Sequence, residues 1–133
     1  MSSRNGICSK PITVAVVEDD DSILDAIRLV LEARGWDIRT YSTGEAFLAE
    51  VNSYKPDCVI LDPHLPLMNG AEVMRRLKDS TQIPFIGLTA RPTSSITTEV
   101  ADLGAHPILT KPATADELVI HIEHAIRAAN GVD

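Results

Sequence analysis

Four residue groups in this chain have types and spacing suited to chemistry, and each closes a short apolar run. The carboxylate Asp62 follows Cys58-Val59-Ile60-Leu61 and precedes Leu65-Pro66-Leu67-Met68-Asn69-Gly70. The acid cluster Glu18-Asp19-Asp20-Asp21 follows Val14-Ala15-Val16-Val17, the hydroxyl of Thr89 follows Phe85-Ile86-Gly87-Leu88, and the amine of Lys111 follows Ile108-Leu109-Thr110. Open α/β sheets bind ligands at the carboxyl ends of their strands, where all four groups fall if the runs are strands. Several carboxylates in one place repel one another unless a cation intervenes. Mg²⁺ is the natural choice, because it prefers oxygen ligands and takes one or two carboxylates while keeping several waters. With its charge offset, one carboxylate can attack phosphorus, a reaction that needs positioning and charge compensation above all. Lys111 can then place a positive charge on the phosphoryl oxygens and Thr89 a hydroxyl donor. Taken singly, each residue has a plainer reading. An acid after a strand often only caps the next helix, as Asp20 or Asp21 is expected to do, and Lys-Pro is often only a turn. All four in this order describe an aspartate that becomes phosphorylated.

The elements that must position these groups follow from the periodicity. Ile12 to Val17, Trp36 to Tyr41, Cys58 to Leu61, Ile83 to Leu88 and Ile108 to Thr110 read as strands. Helices are expected over Asp20 to Arg34, from the capping box Ser42-Thr43-Gly44-Glu45 through Val51, and from Gly70 or Ala71 to Lys78. A fourth carries Ile96, Val100 and Leu103 before Gly104. Its Thr and Ser residues are weak helix formers. The last starts at the capping box Thr114-Ala115-Asp116-Glu117, with Leu118, Ile122, Ala125 and Ala129 on one face. Five alternations of strand and helix predict a doubly wound parallel sheet in one domain, its strands continuously apolar because both faces are covered.

The 133 residues allow one domain with a real core. Nineteen acidic against twelve basic side chains speak against a nucleic-acid surface, and Arg75-Arg76-Lys78 reads as a solvated helix face. No run is long enough to span a membrane, and Met1 to Lys10 lacks the apolar stretch of a signal peptide. Cys8 and Cys58 are not expected to pair, Cys58 being a small core residue. The expectation is a cytoplasmic protein: a disordered tail over 1–10, one domain over 11–128 and a short tail over 129–133.

Val16-Val17-Glu18-Asp19, Leu61-Asp62 with Leu65-Pro66 and Gly70, Leu88-Thr89-Ala90, Gly104-Ala105 and Lys111-Pro112 together resemble the receiver domain of two-component response regulators. The resemblance covers about residues 11–128. It implies a flavodoxin-like fold with five helices and strand order 2-1-3-4-5. It also implies that Asp62 accepts a phosphoryl group from a phosphohistidine of a sensor histidine kinase or phosphotransfer protein. Asp19, Asp62 and the carbonyl of His64 would ligate Mg²⁺, with Glu18 acting mostly through water. Thr89, Lys111 and the backbone of Ala90 would contact the phosphoryl group. His64 and Arg91 stand where the family tunes the lifetime of the acyl phosphate, and Lys111-Pro112 is usually cis. Such a module catalyses only its own phosphorylation and dephosphorylation. Its downstream partner or output domain is expected on the face of the fourth helix, fifth strand and fifth helix, where Ile120 lies, and a homodimer is left open.

Two departures stand out. The family usually has Phe or Tyr three residues before the lysine, a ring that turns inward on activation, whereas this chain has Ile108. Pro63 directly follows Asp62, removing one N–H and restricting Asp62 to extended geometry. Both favour an alternative in which the receiver is a protein-binding module whose phosphorylation is not the signal. A phosphatase of the haloacid dehalogenase type would want an acid where His64 stands. A flavin module would want a Ser/Thr-rich loop after the first strand. His121 and His124 lie three apart on the last helix, with no evident third ligand, and read as surface.

Overall fold

The computed structural model describes residues 11–77 and 82–131. The expected N-terminal tail, Cys8, Lys78 and the last two residues lie outside them. The order of elements is β1 (Thr13–Val17), α1 (Asp21–Glu32), β2 (Asp37–Tyr41), α2 (Gly44–Tyr54), β3 (Cys58–Leu61), α3 (Gly70–Leu77), β4 (Phe85–Thr89), α4 (Ser95–Asp102), β5 (Ile108–Thr110) and α5 (Ala115–Ala129). All strand pairs are parallel, in the order β2-β1-β3-β4-β5.

The continuous apolar strands divide their side chains between two cores. Ala15, Val17, Val59 and Leu61 point to one face, where Phe47, Val51, Val73, Leu77 and Val100 cover them. Val14, Val16, Cys58, Ile60, Ile86 and Leu88 point to the other, against Leu24, Ile27, Leu31, Leu118 and Ile122. This alternation is the period of two of a strand, with both phases apolar because helices lie on both sides.

Several helix boundaries are set by hydroxyl and carboxylate caps. Asp20 caps α1, accepting from the N–H groups of Ser22 and Ile23. Thr114 and Glu117 form the expected reciprocal capping box. The cap of α2 is Thr43, which accepts from the N–H of Ala46, and the helix runs to Tyr54. The expected Ser42–Glu45 box therefore does not form: with Thr43 as the cap, the reciprocating position is Ala46, and the helix is longer than its apolar pattern suggested. Strand β4 begins at Phe85 because Pro84 has no N–H for the ladder, although its carbonyl still accepts from Val59 at 3.0 Å. On α5, Leu118, Ile122 and Ala125 are buried, but Ala129 is exposed where the helix ends.

Candidate functional site

The site is built by the parallel register. Val17 pairs with Leu61 and Leu61 with Gly87, so β1, β3 and β4 end in nearly the same plane. Hydrogen bonding continues one residue beyond the strands: Asp62 N–H donates to the Val17 carbonyl at 3.1 Å, Glu18 N–H to Tyr41 at 3.0 Å and Lys111 N–H to Thr89 at 2.8 Å. The side chains of Glu18, Asp62 and Lys111 thereby start from fixed backbone. Pro63 is compatible with this, because the bonded donor is the next N–H along. His64 N–H donates to Asp62 Oδ1 at 2.8 Å.

Gly70 closes the loop that follows. Its N–H donates to the Pro63 carbonyl at 2.9 Å. A Cβ there would lie 2.9 Å from Pro63 Cα and 3.1 Å from the Asp62 carbonyl oxygen, so the backbone approach requires glycine. Leu67, in the same loop, has φ of 67° and is 94% exposed.

Carboxylate oxygens of Glu18, Asp19 and Asp62 lie within 4.8 Å of one another, the single such group of three or more His, Cys, Asp or Glu side chains among the described residues. His121 and His124 thus join no such cluster. Glu18 and Asp62 are buried, whereas Asp19 is exposed. Asp20 is turned to the α1 cap, where the Ser22 hydroxyl and N–H bonds hold its carboxyl below the ordinary range. The Lys111 ammonium bridges two of the acids, donating to Asp62 Oδ2 at 2.8 Å and pairing with Glu18 Oε1.

Burial raises the Glu18 carboxyl above its ordinary value, against the opposing pull of Lys111 and the Asp20 N–H. Burial works to lower the Lys111 amine, but the two carboxylates outweigh it and hold that amine above its ordinary value. One cation against three carboxylates leaves negative charge uncompensated, even though Glu18 Oε1 is met by the Lys111 ammonium. An all-oxygen donor set with excess negative charge fits a hard divalent cation.

On the other side of Asp62 the groups are hydroxyls, backbone amides and one imidazole, whose Nδ1 lies 3.9 Å from Asp62 Oδ1. Thr89 is fully buried and its Oγ1 accepts from the Arg91 N–H at 2.9 Å. The His64 ring lies between Thr89 and α4, with Nδ1 3.4 Å from Thr89 Oγ1 and Nε2 2.8 Å from Ser94 Oγ. Ser94 caps α4, and its hydroxyl reaches Thr97 Oγ1 at 3.0 Å. Arg91 takes part through its backbone while its side chain is exposed, and Ala90 is exposed beside it. Lys111-Pro112 is cis, as the resemblance implied, and His106-Pro107 is cis as well.

The structure brings Glu18, Asp19, Asp62, His64, Thr89 and Lys111 together. It adds Ser94 and Thr97, which the sequence offered only as weak helix formers. The signal that could have found them is the S-x-x-T spacing just before an apolar helical pattern, a cap position.

The family profile of the response regulator receiver domain matches residues 14–123. The transcriptional regulatory protein KdpE of Mycobacterium tuberculosis is 39% identical over 114 residues, covering 86% of this chain and 50% of that protein. The sensory transduction protein RegX3 of the same species is 33% identical over 121 residues, covering 91% of this chain and 53% of that protein. The chain thus spans about half the length of the curated relatives it matches. Among solved structures, a CheY-like receiver domain protein from Methanospirillum hungatei superposes with a TM-score of 0.85 at 22% identity, covering 92% of this chain and 98% of that one. The receiver domain of a Francisella response regulator superposes with a TM-score of 0.79 at 28% identity, covering 90% and 98%. With its doubly wound sheet and an acidic cluster at the strand ends, the chain belongs to the receiver domains of two-component response regulators.

Proposed function

We propose that this receiver is phosphorylated on Asp62 by a sensor histidine kinase or phosphotransfer protein, with Mg²⁺ as cofactor. The observation that carries the reading is Lys111 Nζ bonded to Asp62 Oδ2 while three carboxylate groups converge on one point. A carboxylate oxygen of Asp62 attacks the phosphorus of a phosphoimidazole. The new P–O bond forms as the P–N bond breaks, and the electron pair returns to the imidazole nitrogen. Glu18, Asp19, Asp62 and the His64 carbonyl would hold the cation, which supplies charge compensation for the phosphoryl oxygens. Lys111 adds a second positive charge, and Thr89 and the Ala90 backbone donate hydrogen bonds to the same oxygens. His64 and Arg91 flank the acyl phosphate and limit the approach of attacking water. The module turns over no external substrate beyond its own phosphoryl group.

The receiver occupies residues 11–128 and acts in the cytoplasm. A groove of about 210 Å³ lined by Ile23, Ile27, Leu88, Pro112 and Leu118 opens beside Lys111 and gives a phosphodonor an apolar surface next to the reacting carboxylate. A downstream partner, an output domain or a second copy is received on the face of α4, β5 and α5, where Ile120 is 62% exposed.

Intact mass after incubation with acetyl phosphate and Mg²⁺ tests the reading. One Mg²⁺-dependent phosphoryl adduct is expected in the wild type and none in Asp62→Asn. The alternative is a receiver recognised regardless of phosphorylation. It draws on Ile108, whose side chain packs over Gly87 in place of a swinging aromatic ring. It takes over if neither an adduct nor beryllofluoride binding is found.

A further inference from the structure

The hydrogens of the uncharged half of the site can be assigned by counting, because each hydroxyl has one to give. Thr97 Oγ1 donates to the Arg91 carbonyl at 2.7 Å, so it accepts from Ser94 Oγ. Ser94 Oγ has then used its hydrogen, and it accepts from the Thr97 N–H at 3.1 Å and from His64 Nε2–H at 2.8 Å. In the neutral imidazole, His64 Nδ1 is then the acceptor for the Thr89 hydroxyl at 3.4 Å, with Asp62 Oδ1 3.9 Å from the same nitrogen. Thr89 Oγ1 in turn accepts from the Arg91 N–H. The bonds form a closed ring: Thr89, His64, Ser94, Thr97, Arg91 and back to Thr89.

Thr97 is 2% exposed and the His64 side chain 16% exposed, so water competes little for these bonds. The ring joins the hydroxyl beside Asp62 to the cap that starts α4. Position 108 on β5 offers no such route. Ile108 has no polar side-chain atom, and its Cδ1 would lie 2.6 Å from a Cβ placed on Gly87, so it fills the space above that glycine.

We propose that His64 and Ser94 are positioning residues that carry the phosphorylation state of Asp62 to α4, in place of an aromatic switch on β5. The inference rests on the reading of Asp62 as the phospho-acceptor. A phosphoryl oxygen is a charged acceptor and outcompetes an imidazole nitrogen 3.4 Å away for the single Thr89 hydrogen. Once Thr89 turns to the phosphoryl group, Nδ1 loses its donor and the His64 ring its second point of attachment. Ser94 then loses a fixed donor, and the first turn of α4 loosens at the Thr97 and Thr98 amides, both of which bond to Ser94.

The test is amide exchange over residues 93–103 in the full chain, with and without saturating Mg²⁺ and beryllofluoride, while bound probe is counted by fluorine NMR. In the wild type, loading should raise exchange at Thr97 and Thr98 about fivefold, the equivalent of one ordinary hydrogen bond. In His64→Ala, which keeps the Ser94 cap, exchange should already be raised without the probe and should not rise further. Ser94→Gly leaves the phosphoryl pocket intact and keeps a tolerated cap residue. It should bind the probe and show the same lost response. The double variant should be no worse than either single one.

A loading-dependent rise in Ser94→Gly or His64→Ala equal to that of the wild type would overturn the proposal while leaving the phospho-acceptor reading standing. No bound fluorine signal in the wild type would reject the phospho-acceptor reading and this inference with it.

Discussion

The two sides of Asp62 are built from different chemistry. Toward β1 it faces Glu18, Asp19 and the Lys111 ammonium, a cluster in which one cation stands against three carboxylates. Toward β4 it faces Thr89 and His64, which are linked onward to Ser94 and Thr97, and every hydroxyl hydrogen there has an acceptor. Both sides start from the same parallel register, so position in the sheet does not account for the difference. The charged side is left incomplete in a way that a cation can complete. The hydrogen-bonded side is complete as it stands, and an added acceptor can only rearrange it. One side is suited to binding and the other to responding.

The largest expected effect falls on the charged side. Mg²⁺ at a hundredfold excess over its Kd should stabilise the wild type by about 2.7 kcal/mol, seen as a raised Tm, and Asp19→Asn should lose most of that. A wild-type Tm indifferent to Mg²⁺ would remove the contrast at its root.

Next comes Thr97→Val, which leaves the Arg91 carbonyl without its donor and should destabilise by about 1–3 kcal/mol in urea unfolding. Its Mg²⁺-dependent gain should equal that of the wild type. A smaller gain would mean that the two sides are not independent.

The smallest effect sharpens the contrast along β3 instead of across it. Cys58 begins the strand that Asp62 ends, and burial pushes its thiol up to about 12 from an ordinary 9.0. Being raised in the folded state, it contributes stability that is whole below about 9 and fades as pH climbs toward 12; Cys58→Ala should lack that alkaline decline. In a Cys8→Ser background, Cys58 should resist iodoacetamide at neutral pH until denaturant is added. Rapid native labelling would show that the amino end of the strand is less closed than its burial implies.

The charged side was legible in the sequence because acids directly behind an apolar run must leave the core where the strand ends, and the runs themselves carried the fold. Asp20 could not be separated from Asp21 by composition, since either can cap a helix; the Ser22 bonds decide it. The box read over Ser42 to Glu45 put the α2 cap on Ser42, and Thr43 takes it instead, because adjacent hydroxyls offer the same chemistry. The hydrogen-bonded side was hidden for a deeper reason. Ser94 and Thr97 belong to a helix and His64 to a loop thirty residues earlier, and only the fold brings His64 Nε2 to the Ser94 hydroxyl. Helix propensity scored both hydroxyls as weaknesses, whereas one is a cap and the other is buried with its hydrogen bonded.

Helix α4 is held differently along its length. Near its far end Val100 is fully buried in the core, and the neighbouring Glu99 pairs with Arg75 of α3. Six residues earlier Ser94 rests on a few hydrogen bonds, about 9 Å away at the rise of a helix. Mechanically this is a short lever with its fulcrum at Val100 and its latch at Ser94. If the proposed latch at Ser94 is released while Val100 stays anchored, the helix is expected to turn about that point instead of sliding, with the greatest displacement at the end nearest Asp62.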